Sequence, residues 1–467
     1  MRILAFLLAL LTFAPVTSAA ANPAADLESR RKALSDLLHE QWEYTMLHNP
    51  IYASMLGDKR YNDQLGDFSQ QAIDDNLEQE RRFLTRFEAI DTTGFPDQEV
   101  LNRQLMVRDL RMDLDGAHFK SWEMPVTQAD GMHTFLPTLV NIISFDTVKD
   151  YDDYVARLRQ VPRVFDQTMV QMRKGMADGL MPPRILLEKV VTQANAIATM
   201  PAERSPFAHP FDKFPGSVGE ADRKRLREAG LAGIRDSVNP AYVTFTAFVR
   251  DEYAPKGRAE PGVWSLPGGP ERYAFRVKES TTTNLSPEEI HQIGLAQVRE
   301  IEGRMLQVAI QLGFKDVKSF TATFKNNPKL HPKSRDEMLD LYRKYIDTMY
   351  AKLPEFFGRL PKGTVDVMPI EEFREKETST HYLQGTPDGS RKAHVMVNTG
   401  EFANRTTLDI ETTAYHEGVP GHHMQIAIAQ ELPELPPRFL IFAFGDERKT
   451  NLRKNYLRIP RRSIRVL

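Results

Sequence analysis

"HEGVPGHHMQ", residues 416–425, decides how the rest of this chain is read. His416 and Glu417 stand side by side, and His422 and His423 follow a Gly-Val-Pro-Gly insert. Two histidines four apart on a helix, with a glutamate after the first, form a pattern that holds zinc and supplies a base. Here the fifth position of that pattern is Pro420. The stretch is therefore either a zinc site on a distorted helix or a histidine-rich structural turn.

Zinc needs neutral imidazoles with nitrogens ~2.0–2.1 Å from the ion. On a straight helix His422 lies roughly 240° round from His416, on the wrong face, and His423 lies about 10.5 Å up the axis. Neither shares an ion with His416 unless the helix is broken. Pro420 has no N–H to bond the carbonyl four residues back, which is that of His416. Gly418 and Gly421 let the backbone bend without a Cβ penalty. If Pro420 and Gly421 loop out, His422 takes the second ligand position. If the helix restarts at Pro420, His423 takes it.

Outward from the motif, two valine-rich runs read as strands, "TVDVMPI" (364–370) and "KAHVMVNT" (392–399). Almost everything else reads as helix. Apolar residues recur at three- and four-residue steps from Asp26 to about Met200. Pro162 divides "DYDDYVARLRQVPRVFDQTMVQMRKGMADGL" into two helices or kinks one. The segment 201–222, rich in proline, glycine and aromatic residues, reads as a long surface loop and a candidate lid. Helix resumes from about Lys224 to Asp251. Ser286-Pro287-Glu288-Glu289 carries an N-cap, a first-turn proline and a capping box. The fold class is mainly α, a large helical domain with a small β-sheet just before the histidine motif.

The chain has 467 residues, 41% hydrophobic and 27% charged, the balance of a globular protein. Its net charge of -2 argues against a globally basic nucleic-acid binder. At the N-terminus, Arg2 precedes an apolar run from Ile3 to Phe13, then Pro15 and small residues to Ala21. This is the layout of a secretory signal peptide, residues 1–21. There is no cysteine, hence no lipid-attachment cysteine and no disulfide framework. The mature protein is expected to be periplasmic or secreted, without stable membrane insertion after signal cleavage.

"ETTAYHEGVPGHHMQ", following "HYLQGTPDGSRKAHVMVNTGEF", resembles the bacterial family called domain of unknown function 885. "RLRQVPRVFDQTMVQMRKGMADGLMPPR" (157–184) and "TTTNLSPEEIHQIGL" (281–295) support it. That family comprises exported proteins grouped with the gluzincin-like zinc metallopeptidases. The resemblance implies a metallopeptidase-like helical domain over residues 22–445, zinc as cofactor, and hydrolysis of a peptide or other small amide. His416 and one of His422 or His423 would hold the metal. Glu417 would take a proton from a water that the ion makes acidic. The strand from Lys392 to Asn398 would be the sheet edge that pairs with an extended peptide. Tyr382 or Arg391 would stabilise an oxyanion or grip a carboxylate.

A catalytic zinc site takes a third protein ligand and keeps an open position. In the resembled family a glutamate beside a glycine and a tryptophan supplies it, after the motif. Here no tryptophan follows Trp264, and the chain ends in a divergent basic tail, 446–467. Glu431, Glu434 and Glu447 are the local replacements. The expectation is a zinc peptidase-like hydrolase impaired by loss of the third-ligand region. The alternative is a non-catalytic exported binding protein or truncated pseudoenzyme.

Overall fold

A computed structural model describes residues 23–372, 375–376 and 378–432. The signal peptide and the basic tail lie outside the described residues, as do Glu434 and Glu447. Four helices open the chain: α1 (Pro23–His48), α2 (Pro50–Met55), α3 (Gln70–Glu88) and α4 (Asp97–Ala117). Leu34, Phe83, Phe87, Met106 and Leu110 close a core of their own between α1, α3 and α4. The Ser69 hydroxyl accepts from the Ala72 N–H at 3.2 Å and starts α3.

The largest core is built around α6 (Val148–Asp178), which follows the single turn α5 (Met132–Phe135). Thr147 and Asp150 form a capping box at its start, and Gly179 ends it in the left-handed region. The structure runs one helix through Pro162 and does not divide there into two. The lost backbone bond costs about 3 kcal/mol. Leu158, Val161, Val164 and Phe165 are fully buried around it, and each contributes roughly 1.5–3 kcal/mol of burial. Packing outweighs the proline. Phe165 stacks on Phe245 with ring centroids 4.7 Å apart, which locks α6 against α9 (Asn239–Phe248). Between them in sequence lie α7 (Arg184–Ala198) and α8 (Glu220–Gly233).

The segment 201–222 is not a surface loop. It makes two short 3₁₀ turns, Ala202–Arg204 and Pro206–Phe211, and drives Phe207, Phe211 and Val218 into the main core. The proline and glycine content is real, but the aromatic residues between them are anchors. Their burial fixes the segment and removes it as a lid.

Next come α10 (Gly269–Thr281), α11 (Pro287–Gln311), α12 (Val317–Lys325) and α13 (Arg335–Phe356). Ser286 and Glu289 form the expected capping box at the start of α11. This helix lies largely in the open. Val298, Ile301, Met305, Val308 and Leu312, at alternating three- and four-residue steps, all point outward.

The sheet has three strands: β1 (Val365–Pro369), β2 (His381–Leu383) and β3 (Ala393–Val397), in the order β1-β3-β2. β1 runs parallel to β3, and β2 runs antiparallel to it, with Tyr382 opposite Val395. The expected edge at 392–398 is thus the centre of the sheet. Val395 and Val397 are buried on it, and both its sides are already paired. Among the described residues, the strand next to the histidine motif that pairs on one side alone is β2. Val367, Val395 and Val397 join Leu339, Tyr342, Ile346 and Leu353 of α13 in a second core. On this core rest α14 (Ile410–Glu417) and α15 (His422–Gln430). Among the described residues no helix is long and apolar enough to cross a membrane.

Candidate metal centre

The motif breaks between α14 and α15. α14 buries Ile410 and Ala414 against α13 and ends at Glu417. Residues 418–421 leave the helix, and α15 begins at His422. Val419 plugs into the second core, so the bulge is anchored. Gly421 passes so close to α14 that a Cβ there would sit 1.9 Å from the His416 carbonyl oxygen. A Cβ on Gly418 would meet Ile346 at 2.9 Å. The Gly421 N–H returns to the Tyr415 carbonyl at 3.0 Å, and the His423 N–H to that of Gly418 at 3.1 Å. Backbone bonds therefore close the bulge on both sides.

The loop-out brings His416, Glu417 and His422 together: one donor atom from each lies within 4.8 Å of the other two. The His416 and His422 rings are 4.7 Å apart, nearly perpendicular. His422 Nε2 stands 3.9 Å from Glu417 Oε2. His416 is exposed, His422 half-buried and Glu417 buried. Burial raises the Glu417 carboxyl above the usual carboxylate range, while His416 and the Tyr382 backbone N–H pull it back down. Two imidazoles and a carboxylate are donors of the kind that hold divalent metals, and donor atoms this close could hold one ion.

His423 faces another way. It is 1% exposed, with Nδ1 3.1 Å from the Tyr382 hydroxyl and Nε2 3.0 Å from the Gly363 carbonyl. A carbonyl only accepts, so Nε2 carries the proton and Nδ1 accepts from Tyr382. Burial lowers this imidazole's pKa and so favours its neutral form. Tyr350 closes over it edge-on, 6.3 Å between centroids. Its role here is to tie β2 and the turn before β1 to α15.

Of the residues expected to meet substrate, Tyr382 lies at the site, its ring stacked 6.5 Å from that of His422. Arg391 and Asn398 are engaged elsewhere. The Arg391 guanidinium donates to the carbonyls of Gln384 at 2.7 Å and Met55 at 2.8 Å, clamping the β2–β3 connection to α2. Asn398 Nδ2 donates to the Glu375 and Thr378 carbonyls, and its Oδ1 accepts from the Gly400 N–H. Glu431 does not join the cluster either: its carboxylate caps the Lys362 N–H at 2.6 Å. The sequence reading missed the pairing of Tyr382 with His423 and the Gly363 carbonyl. The turn that holds Gly363 carries no local signal of contact with a histidine 60 residues on.

Residues 50–445 match the family described as bacterial protein of unknown function (DUF885). The chain belongs to this family. Two solved structures share the fold. One is described as "the putative lipoprotein from Colwellia psychrerythraea", with 22% identity and a TM-score of 0.80; the match covers 87% of this chain and 74% of that one. The other is described as "a putative lipoprotein of unknown function from Shewanella oneidensis", with 14% identity, a TM-score of 0.60 and the same coverage. No curated protein matches the DUF885 chain.

Proposed function

We propose that this DUF885 protein is an exported, zinc-dependent hydrolase of peptide or other small amide bonds. His416 and His422 would hold the metal and Glu417 would serve as general base. The reading is carried by one observation, the convergence of these three side chains where the helix breaks. When bound, zinc would polarise a carbonyl and make a water acidic near neutral pH. Glu417 would take that water's proton. Its burial raises its basicity, which His416 and the Tyr382 backbone N–H offset only in part. The same carboxyl can then pass the proton to the departing amine. Tyr382, on the free side of β2, offers a ring surface beside His422 for the substrate. Export is supported by the signal-peptide layout and by the lipoprotein descriptions of both structural relatives.

A second reading has its own support. The cluster contains Glu417 itself, and among the described residues no further histidine or carboxylate joins it. If Glu417 ligates the metal it is not free as a base, and the protein binds without cleaving. Zinc content and chelator-sensitive peptide hydrolysis, measured on the same preparation, separate the two. Zinc near one per chain with cleavage supports the hydrolase; zinc without cleavage supports the binder; no zinc removes both.

A further inference from the structure

Between α5, α7 and the chain that leads into β2 lies a cavity of about 330 Å³. That is roughly twice the ~150 Å³ that takes up one benzene, so it is sized for a single side chain. Met132 and Phe135 come from α5, Ala196 from α7, Met200 from just beyond it, and Thr378 from the segment before β2. The four apolar residues line the cavity without being fully buried.

The polar groups of the wall are largely spent on one another. The Gln193 amide nitrogen donates to the Gln128 carbonyl at 3.0 Å, and its oxygen stands 3.3 Å from His133 Nε2. The Thr134 hydroxyl donates to the Gly131 carbonyl at 3.0 Å, and the Thr138 hydroxyl to that of Phe135 at 2.7 Å. Asp130, on the exposed rim, accepts from the Thr127 hydroxyl at 3.2 Å. What the wall offers a ligand is therefore apolar contact, and its two thioethers adapt to the ligand's shape. A charged group entering here gives up its water for no partner, and Asp130 repels a carboxylate.

Thr378 ties the cavity to the metal centre. Asn398, just after β3, holds this segment: its Nδ2 donates to the Thr378 carbonyl, and its backbone N–H to Thr380 Oγ1 at 3.0 Å. Asn141, at the end of the turn that follows α5, bonds Glu371 just after β1, which fastens the same wall to the sheet at a second point. Thr378 and Tyr382 are four residues apart, at most about 14 Å of chain. An extended peptide on the unpaired side of β2 advances ~3.3 Å per residue, so a residue about four places from the one beside Tyr382 reaches the cavity. We propose that the cavity is a remote specificity pocket of the same site and takes one apolar side chain of a peptide, within about four residues of the bond at the metal. It rests on the hydrolase reading for the peptide's path along β2. It narrows the substrate from any small amide to a peptide of several residues with leucine, methionine or phenylalanine at that place. Main-chain pairing to β2 supplies affinity, and the pocket supplies the choice of side chain.

The test uses the full chain, held in chelator so that nothing is cut. The probes are labelled peptides of serine, threonine and glutamine, roughly 17 residues long so that they can lie along β2 in either direction, with leucine, glycine or aspartate at the centre. Fluorescence anisotropy gives Kd. The leucine peptide should bind saturably and about tenfold or more tighter than the glycine peptide, and aspartate should do no better than glycine. Ala196→Leu and Ala196→Phe push bulk into the cavity from an exposed helix position. They should lower the leucine peptide toward the glycine level in that order, and the smaller change gives the reading if the larger one melts early. No saturable binding, equal Kd for leucine and glycine, or a leucine preference that both variants keep would overturn the proposal. So would cuts by the zinc-loaded protein that all fall more than about four residues from the leucine. Leucine-selective binding that Ala196→Phe removes, with no cleavage by the zinc-loaded protein, keeps the pocket and removes the hydrolase.

Discussion

The Tyr382 hydroxyl donates to His423 Nδ1 at 3.1 Å, and this bond separates two adjacent histidines into two roles. His423 is held by β2 and Gly363, whereas His422, one residue earlier, turns toward His416 and Glu417. The first prediction follows. His416→Ala and His422→Ala should each lower zinc content well below one per chain. His423→Ala should retain zinc while losing stability by about 2–4 kcal/mol, since it strands the Tyr382 hydroxyl and opens a void. Metal analysis and urea melts on the three variants check it. A folded His423→Ala without zinc, beside a His422→Ala that keeps it, would reverse the assignment.

Gly421 is the tightest point of the bulge. Gly421→Ala puts a methyl where the His416 carbonyl oxygen lies, so the backbone of one helix end must move. A loss of about 3 kcal/mol or more is expected, with zinc lost as His416 and His422 separate. A variant with unchanged melting and unchanged zinc would show that the two helix ends are not coupled.

Glu417→Gln keeps the shape of the side chain and removes its ability to take a proton. Zinc should stay within a factor of two or three, and chelator-sensitive peptide cleavage should fall about 10²–10⁴-fold. Parallel loss of both metal and cleavage would instead make Glu417 a ligand.

His133 predicts an acid-side weakness far from the metal centre. It is 2% exposed, packs on Phe245 at 5.8 Å between centroids, and has one ring partner, Gln193 Oε1 at 3.3 Å. Burial pushes its pKa down to about 4. The unfolded chain binds a proton near pH 6.5 that the folded chain refuses, so stability falls as pH drops from about 6.5 to about 4 and this contribution levels off below. The cost approaches about 3 kcal/mol at the low end. Urea melts between pH 7 and 4.5 should show this slope in the parent and a shallower one in His133→Phe. Identical slopes would mean that His133 is protonated in the native state.

Elements with a strong local signature were legible in the sequence. Ser286, Pro287 and Glu289 specify the start of α11 because capping is decided within four residues. Elements decided by distant packing were not. β2 is three residues long and exists because β3 has a free side for it. Phe207 and Phe211 look like loop residues until the core they fill is known. Pro162 sits inside a helix whose burial outweighs its local preference. At the site, His416 and Glu417 were readable as a pair, but choosing His422 over His423 required the path of residues 418–421. Arg391 was chosen for its side-chain chemistry and Asn398 as the end of an expected sheet edge, and each spends its side chain on carbonyls no local pattern could name.

The outward face of α11 sets how the isolated protein behaves as a colloid. Val298, Ile301, Met305, Val308 and Leu312 are each between 43% and 58% exposed along one helix. Water-exposed stripes of this kind drive self-association and adsorption. Purified stocks should stay clear when dilute and cloud on concentration, light up hydrophobic dyes while fully folded, and be rescued by mild detergent more than by salt. Ile301→Lys with Val308→Glu, which leaves the metal centre untouched, is the substitution pair to make before any crystallisation trial.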